Sequence, residues 1–247
     1  MDLIETAGSK EIQRHPWEVA RAQFFEKCLK NALHKNQAKS LLDIGGGDGF
    51  MAHNLGQAFK ELAIVCWDIN YDAAYLSKMA AAYPKITFTK ECPQEKFEML
   101  MLLDVLEHVE DDVAFLSELV QQRLLAGGEV LVSVPAWPLL FSSHDTHLKH
   151  CRRYTPKTGR QMLEASGLKV LQSGGLFHSL LLPRAMGVLK EKISGPQPFM
   201  GLSQWRAGPL VSGLVRAGLL GDNWITRTLG ALGLSLPGLS WWALCQK

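Results

Sequence analysis

The chain has 247 residues, of which 47% are apolar and 20% charged, and its formal net charge is +2. These values exclude a disordered chain and leave room for one large domain with an appendage. They also lack the concentrated basic face that tracks nucleic-acid phosphates, so no nucleic-acid partner is expected.

The first residues, including Asp2, Glu5 and Glu11, lack the basic start and apolar centre of a secretory signal. Cys28, Cys66, Cys92, Cys151 and Cys245 form neither CxxC pairs nor a disulfide framework, so the cytoplasm is the expected compartment. Residues 1–38 read as a helical leader, because Trp17, Ala20, Phe24, Phe25, Cys28, Leu29 and Leu33 keep helical spacing from Pro16 to about His34.

A core over residues 39–176 follows. Ser40 to Ile44 is a short apolar strand that ends in glycines, and Phe50 to Phe59 is a helix. Leu62 to Trp67 is a strand ending at Asp68, and the helix through Tyr75, Met79 and Ala82 is stopped by Pro84. Further strands are Ile86 to Phe88, Phe97 to Leu103 and Glu129 to Val134, with a helix from Asp112 to Leu125 that ends at Gly127. Thr155 to Ser166 reads as a helix and Leu168 to Leu171 as a strand.

Residues 177–238 are rich in Leu, Gly and Pro and carry Trp205, Trp224 and several arginines. They read as a helical insertion or lid between the last two strands, with a membrane-surface element as the rival. Pro183, Arg184, Arg206, Pro209 and Arg216 interrupt the apolar runs, so no spanning helix is expected. Residues 239–247 close the chain with a core strand, Ser240 to Cys245.

Strands alternating with helices imply an α/β fold: a doubly wound, mostly parallel, Rossmann-like sheet of seven strands with ligands at the C-terminal strand ends. There Gly45, Gly46 and Gly47 follow Asp43, and the glycine spacing of Gly45, Gly47 and Gly49 permits tight turning and close approach of a ligand. Asp68 ends the next strand, where a carboxylate accepts both hydroxyls of an adenosine ribose. Its competing role is a helix cap, for which Asn70 is the better candidate. A dinucleotide fingerprint wants a small residue where Phe50 stands, so an NAD-dependent oxidoreductase is disfavoured.

The order LDIGGGDG, WDIN and LLDVLEHVEDD resembles the class I S-adenosylmethionine-dependent methyltransferases of small-molecule type, from Pro16 to Leu171 and more loosely over the last strand. The resemblance implies that Asp43 and Gly45 to Gly47 surround the methionine part, that Asp68 holds the ribose and that Ile69 lies against adenine. It also places the backbone of Leu103 and Asp104 and the side chain of His108 in the cofactor and acceptor pocket, with a solvated helix start as the competing role of Glu107 and His108. Arg21 would grip the methionine carboxylate by a two-pronged hydrogen bond; a plain amphipathic helix is the alternative.

Similar methyltransferases carry a histidine-aspartate and then a histidine-arginine-arginine-tyrosine-threonine signature, matched here by His144, Asp145, His150, Arg152, Arg153, Tyr154 and Thr155. Lys149 stands where relatives prefer glycine. The resemblance implies acceptor binding by Arg152, Arg153 and Tyr154, with His150 or His144 as a base near Asp145 if the acceptor is a hydroxyl. His144, His147, His150 and Cys151 also suit a transition metal, but the expectation is a metal-free loop.

The expected function is therefore S-adenosylmethionine-dependent methyl transfer to a small or lipid-linked acceptor, at oxygen or another heteroatom. The asparagine-proline-proline-aromatic signature of base methylation is absent after the fourth strand. The non-enzyme alternative is a cofactor-binding module that docks a partner or membrane through 177–238. Peripheral contact with the inner face of a membrane through that segment is compatible with either reading.

Overall fold

The computed structural model describes residues 14–36, 38–195 and 207–247. The acidic start of the chain, Trp205 and Arg206 lie outside the described residues. Helix α1 (Pro16–Asn36) precedes β1 (Ser40–Ile44), α2 (Phe50–Ala58), β2 (Ala63–Trp67), α3 (Ala73–Ala82), β3 (Ile86–Thr89) and β4 (Phe97–Leu103). A single helical turn, Leu106–His108, leads to α4 (Asp112–Arg123), β5 (Leu124–Pro135), the short α5 (Ser143–His147), α6 (Pro156–Ala165) and β6 (Lys169–Leu176). Helices α7 (Leu181–Ser194) and α8 (Pro209–Ala231) then separate β6 from β7 (Ser240–Gln246).

The strands form one seven-stranded sheet in the order β3-β2-β1-β4-β5-β7-β6. Strands β1 to β5 pair in parallel, and β7 runs antiparallel between β5 and β6. The mostly parallel, doubly wound architecture read from the sequence is thus present.

Alternation along the strands separates two cores. Leu41, Met99, Met101, Leu131, Trp242 and Leu244 face Phe24, Phe25 and Leu29 of α1, Leu55 of α2 and Leu219 of α8. Leu42, Leu100, Leu102, Val130, Val132 and Trp241 face Leu116 and Leu119 of α4 and Leu163 of α6. Leader and insertion share one layer: Asn223 Nδ2 of α8 donates to the Ala20 carbonyl at 2.7 Å, and Trp17 meets Phe177 edge to face at 6.0 Å.

Three local readings change. Helix α4 stops at Arg123 and β5 starts at Leu124, because Leu124 is buried and pairs with Phe97 ahead of a register shift. Strand β6 continues to Leu176, since it pairs with β7 through Gly174 and Gly175, residues with weak strand propensity. At Gly175 a side chain would come within 2.9 Å of the Pro237 backbone, so only glycine admits the chain end there. The cap of α3 is Asp72, which accepts from Tyr75 N–H at 2.7 Å, rather than Asn70 or Asp68.

Gly159 of α6 lies directly against Trp241 in the core that faces α4 and α6; a Cβ there would sit 2.7 Å from Trp241 Cε3. Gly159→Ala is expected to lower stability by about 1–3 kcal/mol through overpacking, despite the better helix propensity of alanine. Urea unfolding of the two proteins measures the difference.

Candidate functional site

The turn after β1 is built on backbone geometry. Gly45 and Gly47 have φ of +67° and +52°, in the left-handed region that side chains disfavour. A Cβ on Gly45 would also meet Val105 Cγ2 at 2.7 Å. The turn is anchored from below and beside: Tyr71 Oη donates to the Gly47 carbonyl at 2.7 Å, and Gly47 N–H donates to Asp68 Oδ2 at 3.1 Å. Asp68 Oδ1 accepts from Asn70 N–H at 2.9 Å, which fixes the carboxylate at the end of β2.

A cavity of about 710 Å³ opens over these strand ends. Ile44 and Gly45 after β1, Asp68 and Ile69 after β2, Leu103 and Asp104 after β4, and Pro135 of β5 all line it. Ile69 is 68% exposed, an apolar side chain at the rim without cover from the chain. The leader supplies His15, Trp17 and Arg21, and the insertion supplies Phe177 and Leu180. Arg21 pairs with Asp104 and lies 4.4 Å over the Trp17 ring, while Arg14 pairs with Asp48 beside the glycine turn. Burial lowers His15 to about 4, so its ring is neutral near pH 7.

Asp43 sits behind the turn, not on the cavity. Burial raises its carboxyl to about 7, and the Cys66 thiol lies 3.8 Å away across the sheet. Gly46 and Gly47 likewise shape the turn without lining the space.

The opposite wall carries His108, His144, Leu148, Lys149, His150 and Arg153. Cys151 N–H donates to the Glu107 carbonyl at 2.6 Å, which stitches the segment after α5 onto the Leu106–His108 turn. The rings of His108 and His150 consequently meet edge to face, with centroids 4.7 Å apart. Lys149 has φ of +61°, a physical reason for glycine at this place in similar sequences.

Asp145 organises this wall. Its fully buried carboxylate accepts from Ser142 N–H at 3.0 Å, Arg153 Nε at 2.7 Å and Arg184 Nη2 at 2.8 Å, and pairs with His150 Nδ1 at 3.0 Å. Burial alone would raise the Asp145 carboxyl; the His150 hydrogen bond and the Arg153 and Arg184 charges outweigh it and hold the group well below the usual carboxylate range. Burial and the Arg184 charge lower His144 to about 4.

Several residues named from the sequence are placed elsewhere. Tyr154 Oη lies 2.6 Å from Asp112 Oδ2 and 3.1 Å from the Leu106 carbonyl, inside the protein, so it supports the turn instead of facing an acceptor. Arg152 pairs with Asp112 and donates to the Glu110 carbonyl, outside the cavity wall. His147 and Cys151 do not line the cavity either. Glu107 is no solvated helix start: it is completely buried, and burial followed by the Asp104 charge pushes its carboxyl well above the usual range. Arg184 was visible in the sequence only as an interruption of an apolar run.

Asp145→Asn is expected to cost about 3 kcal/mol at pH 7, since it leaves buried guanidinium groups without a counter-charge. The carboxyl is depressed in the fold, so its contribution is present above about pH 4 and is lost as the pH falls through the folded value. Unfolding curves against pH should therefore show the wild type and variant converging in acid.

A family model described as a methyltransferase domain matches residues 16–173. No curated protein matches by sequence. Among solved structures, the plantazolicin methyltransferase BamL, in complex with a triazolic desmethylPZN analog and SAH, is 15% identical, with 92% of this chain and 84% of that chain covered and a TM-score of 0.56. A protein of Galdieria sulphuraria with a provisional assignment as a sarcosine dimethylglycine methyltransferase is 17% identical, covering 90% and 85%, with a TM-score of 0.55. The [4+2]-cyclase SpnF is 13% identical, covering 90% and 80%, with a TM-score of 0.51. These likenesses show the fold, and a cyclase among them illustrates that the fold alone does not select the reaction. The match over residues 16–173, on a chain whose glycine turn and Asp68 meet at one cavity, shows that this protein belongs to the methyltransferase domain family, with S-adenosylmethionine as its cofactor.

Proposed function

We propose that the protein methylates a small-molecule acceptor at an oxygen or another heteroatom, with the cofactor on the glycine side of the cavity and the acceptor against the histidine wall. The supporting observation is that one continuous cavity joins Gly45, Asp68 and Ile69 to His108, His144, His150 and Arg153. Its size suits a nucleoside-bearing ligand with a small acceptor beside it.

The residues present fit the cofactor. Gly45 leaves space at the end of β1, Asp68 offers a carboxylate at the end of β2, and exposed Ile69 offers an apolar face for a base. Asp43 acts from behind the turn by shaping it, and Arg21 and Asp104 line the methionine side. When bound, S-adenosylmethionine supplies a methyl group whose bond to sulfur breaks as the bond to the acceptor atom forms, leaving S-adenosylhomocysteine and, from a hydroxyl, one proton.

The chain's work is positioning and the exclusion of water. An imidazole of the wall, His150 or His144, receives the proton of a hydroxyl acceptor, Asp145 orients His150, and Arg153 steers an anionic acceptor group. Trp17, Phe177 and Leu180 shield the reacting atoms from solvent.

Asp68→Ala and Gly45→Val are each expected to weaken S-adenosylmethionine binding at least about tenfold by titration calorimetry, the second because its side chain enters Val105. His150→Ala is expected to retain that binding and lose turnover with the true acceptor, which labelled-cofactor incubation with cell extract and mass analysis of the product would identify. Equal cofactor affinity in all three proteins would remove the site assignment.

A second reading, in which a lipid surface or lipid-linked acceptor meets the insertion, rests on one observation. Leu182, Met186, Leu189 and Ile193 form a single outward stripe on α7 at helical spacing, each more than half exposed. Lys190 and Lys192 lie on the same helix. No helix among the described residues is long and apolar enough to cross a membrane. Met186→Glu with Leu189→Glu is expected to abolish co-sedimentation with anionic phospholipid vesicles while leaving cofactor affinity unchanged; vesicle binding equal to wild type would remove this reading.

A further inference from the structure

Among the described residues that line the cavity, Glu107 is completely buried and neither of its carboxylate oxygens has a hydrogen-bond partner in another residue. A carboxyl so enclosed is neutral by burial or, when ionised, needs a cation beside it. The guanidiniums closest in charge to it are already engaged: Arg21 pairs with Asp104, and Arg153 pairs with Asp145.

Two further donors converge on the same point. One ligand atom each from Glu107, His108 and His150 lie within 4.8 Å of one another, and all three residues line the cavity. Tetrahedral ligand atoms around a bound cation stand about 3.4 Å apart, so the three groups must close up on binding, and His108 is the exposed member of the set.

The orientation of His150 is already fixed. Asp145 Oδ1 lies 3.0 Å from His150 Nδ1 and is itself fixed by Arg153, which leaves Nε2 as the ring nitrogen open to a ligand. A carboxylate behind the far nitrogen of an imidazole is the support that metal-binding histidines use. The Cys151 to Glu107 backbone bond holds the two segments together irrespective of any ligand.

We propose that Glu107, His108 and His150 form a site for one divalent first-row transition cation, with its remaining coordination positions open to the cavity. One carboxylate and two imidazoles favour zinc, cobalt, iron or manganese over magnesium and calcium, which prefer all-oxygen shells. The open positions face the part of the cavity assigned above to the acceptor, so they suit an acceptor oxygen, and with His150 on the cation His144 is the imidazole left to take its proton; this last step rests on that assignment, whereas cation binding does not. The converging set differs from the loop cluster of His144, His147, His150 and Cys151 that the sequence suggests.

Chelator-treated full-length protein titrated with Co²⁺ tests the site, by calorimetry and by visible absorption of the bound ion. One equivalent per chain is expected in the wild type. Glu107→Gln and His150→Ala should each weaken Co²⁺ binding at least about tenfold while S-adenosylmethionine binding, measured separately, stays within about twofold and reports that the variants are folded. No saturable Co²⁺ binding in the wild type, or binding of wild-type strength in both variants, overturns the proposal. Lost cofactor binding in the wild type would instead overturn the methyl-transfer reading, so the two failures are distinct.

Discussion

A single buried carboxylate constrains the histidine wall of the cavity. Asp145 receives a backbone amide from Ser142, a guanidinium from Arg153, a second guanidinium from Arg184 and the ring of His150. These groups come from the loop after β5 and from α7, which is separated from that loop by a helix and a strand. A carboxylate removed from water needs its partners together, because the loss of any one leaves charge uncompensated. The position of the insertion and the aim of His150 are therefore set by the same atom pair. On the cofactor side, Arg21 with Asp104 and Arg14 with Asp48 tie the leader to the strand ends in the same manner.

Backbone strain is concentrated around the same space. Asp104, Lys149 and Phe177 have positive φ without being glycine, and all three line the cavity. Each such conformation costs on the order of 1 kcal/mol or more and persists only where the surroundings enforce it. Here the enforcing contacts are the Asp104 amide to the Ser133 carbonyl at 2.8 Å and the Leu239 amide to the Phe177 carbonyl at 3.4 Å.

The sheet and the pairing of the glycine turn with Asp68 were legible in the sequence because they depend on local signals. Strands covered on both faces read as apolar runs, and a glycine turn followed by an acid at the next strand end survives any change in packing. The histidine wall was less legible for a physical reason: its residues are brought together by long-range pairing. Tyr154 and Arg152 belong to the same dense stretch as Arg153 and differ from it only in the direction imposed by the Asp112 side chain. Glu107 has a solvated helix start as its competing role in the sequence, since nothing in its sequence neighbours announces that it is buried. Arg184 could have been suspected from one feature, a lone cation in an otherwise apolar helix start.

The antiparallel placement of β7 has a consequence for how the molecule assembles. Strand β6 has no neighbour in the sheet except β7, and β7 pairs with β5 across a span that runs from Glu129 to Gln246. The edge of the sheet is therefore completed only when the final strand arrives, after the whole insertion has been synthesised. Trp241 and Trp242 enter opposite cores, so this one strand completes the packing of both layers. Pairing across that separation carries the loop-closure entropy of the whole insertion, which the apolar area buried by the two indole rings must offset.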